Sequence, residues 1–457
     1  MTNGFIKILL MLFSLLIPSF TGYLFITALF KRARMGFPVM AALSYGIGLG
    51  ILTQTMLLLG MFRIPYTLFS IYTPIALVSL ACGIFIYKRK DLSGHSFKQK
   101  LIFPKLTQIE KIILAVTAVY LIGVLIFIFW KALNIPIYTW DAIAAVAFKA
   151  KVFFYERSIS YLKNLCHPSY PLHVTFLETW GCINLGEWDD QTIKIIFPFV
   201  FLSFTVLLAY FIRTYTNRLW MLLGTLIFIS SNFPVFHATI SYRDLFLMYY
   251  TSGTILFLIH WNRTENDDYL IISSILAGFA TFTKLEGTAY LSVFTLLLAA
   301  MLFFKKSFTV KRKMISALKF IIPAFFICAY YHVYKIVAHL TPEKIFYDFS
   351  IQNLARIPLI MKTFFYDMFF TGNWNITWFI LLISICTYWN KLKNNAEARY
   401  SLLALFLFLG FYTANGLLTQ NFLWIGGTGT LTTISRLVLH FYPLAIFLVA
   451  VLNHSEE

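Results

Sequence analysis

Apolar runs close to the ~20 residues needed to cross a bilayer recur along this sequence, separated by short loops rich in lysine and arginine. That repetition leaves few folds open. A chain in lipid must satisfy its backbone internally, as helices or as a closed barrel. The runs are continuous rather than alternating, which argues against a barrel. With 59% hydrophobic and only 12% charged residues, and a mean hydropathy of +0.76, the chain lacks the charges to cover a soluble surface. The expected fold class is all-α: a polytopic membrane protein of about 13 transmembrane helices, one membrane domain over 1–457.

The net charge of +18 would suggest nucleic acid in a soluble protein. Here the bases gather in the loops of one side, as the positive-inside rule requires, so no nucleic-acid partner is expected. Lys31-Arg32-Ala33-Arg34 places the end of the first helix inside. The stretch 87–111, with Lys88, Arg89, Lys90, Lys98, Lys100, Lys105 and Lys111, is the strongest inside signal. A helix over about 111–131 then exits, and 132–194 forms an external loop with an interfacial helix over 141–155 and a second over 172–185. Residues 5–30 are too long for a signal-peptide core and lack a small-residue cleavage site, so they read as the first membrane helix. Gly46, Gly48 and Gly50 inside the second helix predict close helix packing. Cys166 and Cys182 share the external loop and are either a disulfide or two free thiols.

Charges near a membrane core are expensive, so those at helix ends point to function. Four places stand out, all on the expected outer side: Asp141, Asp244, Lys284 with Glu286, and Arg436. A carboxylate can take a proton from an attacking hydroxyl, and lysine or arginine can hold a phosphate as it leaves. Asp141 admits a second reading, as the cap of the helix that follows Thr139 and Trp140. Asp141, Ala145 and Lys149 share a helical stripe, which adds a base to the acid's face. Lys151 is off that stripe and reads equally as a snorkelling interface lysine. Asp244 can equally be a residue favoured by a helix N-terminus, and His167 before Pro168 a turn residue. The Gly426–Gly429 run follows no strand and is expected to be a loop rather than a phosphate cradle.

The Trp140-Asp141 pair, Lys149-Ala150-Lys151, and the run His167-Pro168-Ser169-Tyr170-Pro171-Leu172 resemble the first external loop of GT-C glycosyltransferases. The branch is that of protein O-mannosyltransferases and aminoarabinose transferases. Arg243-Asp244 resembles the family's second external acid, and Thr283-Lys284-Leu285-Glu286-Gly287 its Thr-Lys-x-Glu-Gly turn. The resemblance covers roughly 111–300, with extra helices over 1–110 before it and C-terminal helices over 301–457. It implies a polyprenyl-phosphate-linked sugar donor, transfer on the outer face of a bacterial inner membrane, and inversion at the sugar carbon. Asp141 would be the base, and Asp244 would help position the acceptor or the base. Lys149, Lys284 and Arg436 would grip the lipid phosphate, with Lys151, His167 and Glu286 completing the substrate-binding set. No cofactor is specified, and a divalent metal stays open. The sequence departs from the pattern at Ala142, where many relatives carry Glu, and in having no large external C-terminal domain, so a glycan, a lipid or a protein stays open as acceptor. The competing readings are a flippase for a lipid-linked saccharide and a polysaccharide polymerase or ligase. A transporter would place its charges or broken helices near the midplane, in related halves; here they cluster at one face and no repeat is found.

Overall fold

The computed structural model describes residues 4–31, 33, 35–89, 106–342, 347, 350–425 and 431–454, without the side chains of 431 and 432. Arg32, Arg34, Lys90, Lys98, Lys100 and Lys105 of the expected inner loops, and Gly426–Gly429, lie outside the described residues. Of the described residues 82% are helical. Among the described residues there is no strand, only an isolated bridge between Tyr347 and Thr419.

The helices run in order α1 (Gly4–Leu29), α2 (Phe37–Met61), α3 (Leu68–Lys88), α4 (Gln108–Asn134), α5 (Trp140–Ala142), α6 (Phe148–Glu156) and α7 (His173–Leu185). Then come α8 (Ile196–Tyr215), α9 (Arg218–Ser230), α10 (Asn232–His237), α11 (Asp244–Thr264), α12 (Asp267–Thr283), α13 (Leu285–Phe304) and α14 (Val310–Val337). The last are α15 (Ile357–Phe370), α16 (Thr377–Thr387), α17 (Trp389–Asn394), α18 (Ala396–Leu418), α19 (Phe422–Ile425), α20 (Leu431–Leu439) and α21 (Tyr442–Asn453). Starts are marked chemically. Thr67 and Ser70 form a capping box on α3, as do Thr107 and Glu110 on α4.

Among the described residues, eight helices are long and apolar enough to cross a membrane: α1, α2, α3, α4, α8 with the turn before it, α13, α14 and α18. The bent pair α20–α21 makes a ninth if read as one span. The chain is thus built as an integral membrane protein. Other expected crossings are helical but shorter or more polar. α9 has 13 residues, α12 has 17 and α16 has 11. α11 has 21, but is rich in Tyr, Thr and Ser and is buried from Asp244 to Trp261. A helix enclosed by other helices has no lipid-facing stripe to keep apolar. Likewise 78% of the apolar window of α2 is buried, against 11% in α3 and in α4, so α2 is central and the other two line the rim. The glycines of α2 make that centre possible: a Cβ at Gly46 would overlap the Tyr249 ring, and one at Gly48 the Pro18 carbonyl.

The 132–194 segment folds back over one end of the bundle. α7, at about 20 Å for its 13 residues, is too short to cross and packs against α1, α2 and α6. Lys7 at the start of α1 pairs with Glu187 at 2.7 Å and Asp189 at 2.9 Å. Asp190 accepts from the Ile137 amide at 3.1 Å, and Lys194 donates to the Ile135 carbonyl. The opposite end is tied by Arg312 and Lys319 to Asp267 at 2.7 and 2.6 Å, by Lys305 to Glu265 at 2.8 Å, and by the Ala33 amide to Asp268 at 3.0 Å. Cys166 and Cys182 are both free thiols, the first exposed and the second buried in α7.

Lys163 and Lys306 are exposed at opposite ends. In a cysteine-free background, Lys163→Cys is expected to react with a membrane-impermeant maleimide in intact cells. Lys306→Cys is expected to react only after permeabilisation. The reverse pattern would invert the orientation read from the loop charges.

Candidate active site

Three chain breaks bring the charged residues together. The first is the start of α11, where Asp244 is the first helical residue and is wholly buried. The second is the turn between α12 and α13. Lys284 there is extended, and the Gly287 amide closes the turn on the Lys284 carbonyl at 3.0 Å. A Cβ at Gly287 would run into the Ala280 carbonyl oxygen, so only glycine lets the two helices fold this tightly. The turn sets Lys284 Nζ 2.9 Å from Asp244 Oδ1 and 2.8 Å from Glu286 Oε1. The third is the 50° bend between α20 and α21.

Arg436 and His440, one helical turn apart, face Asp244 from that bend. Arg436 Nε lies 3.1 Å from Asp244 Oδ2, and its Nη1 lies 2.5 Å from Asp141 Oδ2. The guanidinium is therefore a bridge between two carboxylates, and it rests 4.7 Å above the Tyr242 ring. His440 Nε2 lies 3.1 Å from Asp244 Oδ1, and its Nδ1 lies 2.7 Å from the Tyr290 hydroxyl. With the proton assigned to Nε2, His440 donates to Asp244 and accepts from Tyr290. Tyr290 also meets the Tyr412 hydroxyl, and Ser252 donates to the His440 carbonyl at 2.9 Å. Asp244 is thus held by Lys284, Arg436 and His440 at once, the condition for keeping a carboxylate charged away from water. Behind this, buried Asp367 on α15 accepts from Ser435, beside Arg436, and from Trp374 Nε1 at 3.0 Å.

Asp141 differs from Asp244: its side chain is 45% exposed. Among the described residues only its Oδ2 is engaged, by Arg436. Its helix starts at Trp140 with Thr139 as the N-cap residue, so Asp141 is not the cap. A π-turn, Ile143–Ala147, follows and breaks the expected stripe to Lys149. Asp141 goes to Arg436, while buried Lys149 donates from Nζ to the His167 carbonyl at 2.6 Å. His167 contributes that carbonyl and a ring stacked on Tyr170 at 4.6 Å. Lys151 is exposed, with Nζ 5.8 Å from the Trp188 ring centre, an interface position. The structure therefore gathers Asp141, Asp244, Lys284, Glu286 and Arg436 into one cluster. Lys149 and His167 form a second group around Tyr170, and Lys151 stands apart. Among the described residues no group of three or more His, Cys, Asp and Glu is placed to hold a metal ion.

Sequence reasoning assigned no role to His440, Tyr290 or Tyr242, nor to Arg243, which it read only as the neighbour of Asp244. Two of them had a signal: His440 follows Arg436 by four residues and Tyr290 follows Glu286 by four, the helical same-face spacing. It also missed Glu178 on α7, which accepts from Ser241, three residues before Asp244, and so fastens the Ser241–Asp244 segment. Burial pushes the Glu178 carboxyl up to about 8, against the opposing pull of the Ser241 hydroxyl.

The raised value has a stability consequence. A carboxyl that titrates near 4.5 when unfolded and near 8 when folded favours the fold fully below the first value. That contribution is lost as pH rises toward the second. Glu178→Gln stays neutral and still accepts from Ser241. Its thermal stability in detergent is expected to gain on the wild type from pH 5 to 8, by about 1.4 kcal/mol per pH unit, and then to run parallel. A gap independent of pH would mean that Glu178 is not held neutral. No family model, no curated protein and no solved structure matches this chain, so its function is argued from the geometry above.

Proposed function

We propose that the chain is a membrane glycosyltransferase of GT-C type, with about thirteen crossings and its site at the outer face of a bacterial cytoplasmic membrane. It transfers a sugar from a polyprenyl-phosphate donor to an acceptor hydroxyl or amine. The observation that carries this reading is the pairing of two unlike carboxylates through one guanidinium. Asp141 is half exposed and keeps one oxygen open, while Asp244 is sealed and saturated. Such a pair supplies a base and the anchor that aims it.

In the proposed step Asp141 Oδ1 takes the proton of the acceptor as its oxygen or nitrogen attacks the anomeric carbon. The bond from that carbon to the phosphate oxygen breaks, and the phosphate leaves with the bonding pair. Attack opposite the leaving group inverts the carbon. Arg436 keeps Asp141 charged and oriented. Lys149, Lys284 and Arg436 supply the positive field for the lipid phosphate, and Glu286, whose side chain is 30% exposed, offers an acceptor to a sugar hydroxyl. Lys151 and His167 would complete the substrate-binding set. The bent pair α20–α21 is the one feature that favours a flippase instead, since broken helices line transport sites. Against it, the ionisable cluster lies at the starts of α11 and α13, at the end of the bundle rather than its middle.

The test compares envelope glycans and glycoproteins by mass spectrometry in cells with the gene, without it, and with single variants. Asp141→Asn is expected to express and melt like the wild type while turnover falls at least about a hundredfold. Asp244→Asn is expected to lose about 3–5 kcal/mol of stability, because it leaves Lys284 and Arg436 without a buried counter-charge. Near-normal transfer by a well-folded Asp141→Asn protein would end the base assignment.

A further inference from the structure

Beside the carboxylate cluster lies a cation that the cluster does not use. Arg243 is 6% exposed, and its side chain makes no hydrogen bond with any described residue. Its Nη1 is fully enclosed without a partner. Asp244 and Glu286 act on it through space, yet Asp244 gives its oxygens to Lys284, Arg436 and His440. Buried guanidinium groups are almost always paired, because an unpaired buried charge is costly.

The surroundings are built for an anion. The Arg243 guanidinium lies 4.7 Å over the Tyr170 ring, and Lys149 Nζ lies 5.7 Å from the same ring. Ser169, next in the chain to Tyr170, is 3% exposed and its hydroxyl has no partner either. The loop is fixed from several sides. Tyr331 donates to the Tyr170 carbonyl at 2.7 Å, Lys149 holds the His167 carbonyl, and His167 is kept at φ 51°, a conformation disfavoured outside glycine. A rigid loop thus carries one unpaired hydroxyl next to a ring that bears one unpaired guanidinium.

We infer that Arg243 and Ser169, with Lys149 at the same ring, form a binding site for a phosphate group. A guanidinium grips two phosphate oxygens in parallel, and a hydroxyl and an ammonium suit the remaining ones of a tetrahedral, multiply charged group better than a planar carboxylate. The site deepens the transferase reading: it seats the phosphate on Arg243, Ser169 and Lys149, while Lys284 and Arg436, which already face carboxylates, add only their positive field. A binding measurement nonetheless tests it without any transfer taking place. The phosphate can arrive on a lipid or free in solution, and the probes separate the two.

The experiment measures binding to the purified full-length protein in detergent by calorimetry and thermal shift, with farnesyl phosphate, farnesol and inorganic phosphate as probes. Farnesyl phosphate is expected to bind and stabilise the wild type, and farnesol to do neither. Competition by inorganic phosphate at millimolar levels would mark a free-phosphate site, and its absence a lipid-borne one. Arg243→Met is expected to weaken farnesyl phosphate at least about tenfold, and Ser169→Ala about threefold, as the loss of a charged and of a neutral hydrogen bond implies. Arg243→Lys keeps the charge without the fork and should fall between, which keeps the test open if Arg243→Met does not fold. Asp141→Asn is expected to bind normally, so a failed base assignment and a failed phosphate site give different results. Equal affinity in the wild type, Arg243→Lys and Ser169→Ala, or no binding by the wild type, would overturn the inference.

Discussion

The buried carboxylate of Asp244 is the interaction on which the rest of this end of the molecule depends. It joins the start of α11, the α12–α13 turn and the α20–α21 bend through Lys284, Arg436 and His440. Neither Lys284 nor Arg436 could lie so deep alone, and the carboxylate could not lie there without them and the donor on His440. The cluster therefore forms as a unit, and its formation fixes the place of Arg436. That guanidinium in turn reaches outward to Asp141, whose side chain is more exposed than that of Asp244 or Glu286. A buried charge deep in the wall thus positions an accessible one at its edge.

Support for the cluster is drawn from further out by hydrogen bonds. Tyr290 and Tyr412 back His440, while Asp367 and Trp374 back the Ser435 beside Arg436. Glu178, bonded to Ser241, fastens the segment that delivers Tyr242, Arg243 and Asp244. In a region of low dielectric such satisfied networks rigidify a site, and an unsatisfied group within them stands out. Arg243 stands out for that reason.

The helices were legible because lipid imposes a simple rule on sequence. The expected first helix at 5–30 is Gly4–Leu29, and that at 111–131 lies within Gln108–Asn134. The rule fades where a helix is enclosed by protein, as in α11, whose Tyr249, Tyr250 and Ser252 hydroxyls donate to carbonyls outside the helix. The candidate site residues were legible as charges out of place in apolar surroundings: Asp141, Asp244, Lys284, Glu286 and Arg436 all belong to one cluster. Their pairing was not legible. Arg436 meets partners 192 and 295 residues away, and such contacts follow from bundle topology rather than from local pattern. The π-turn after Asp141 was also hidden, since its Ile-Ala-Ala-Val-Ala sequence suits an ordinary helix equally well. It redirects Lys149 to His167 and separates two residues that ideal spacing had placed together.

The most direct measurement is chemical rescue at position 141. Asp141→Ala removes the proposed base and leaves a gap at an exposed site, so a small carboxylate such as formate can enter from solvent and take its place. If Asp141 accepts the acceptor's proton, transfer by the purified Asp141→Ala protein should be at least about a hundredfold below wild type and should rise with formate concentration. Transfer at the wild-type rate without formate would contradict the assignment of Asp141 as the base.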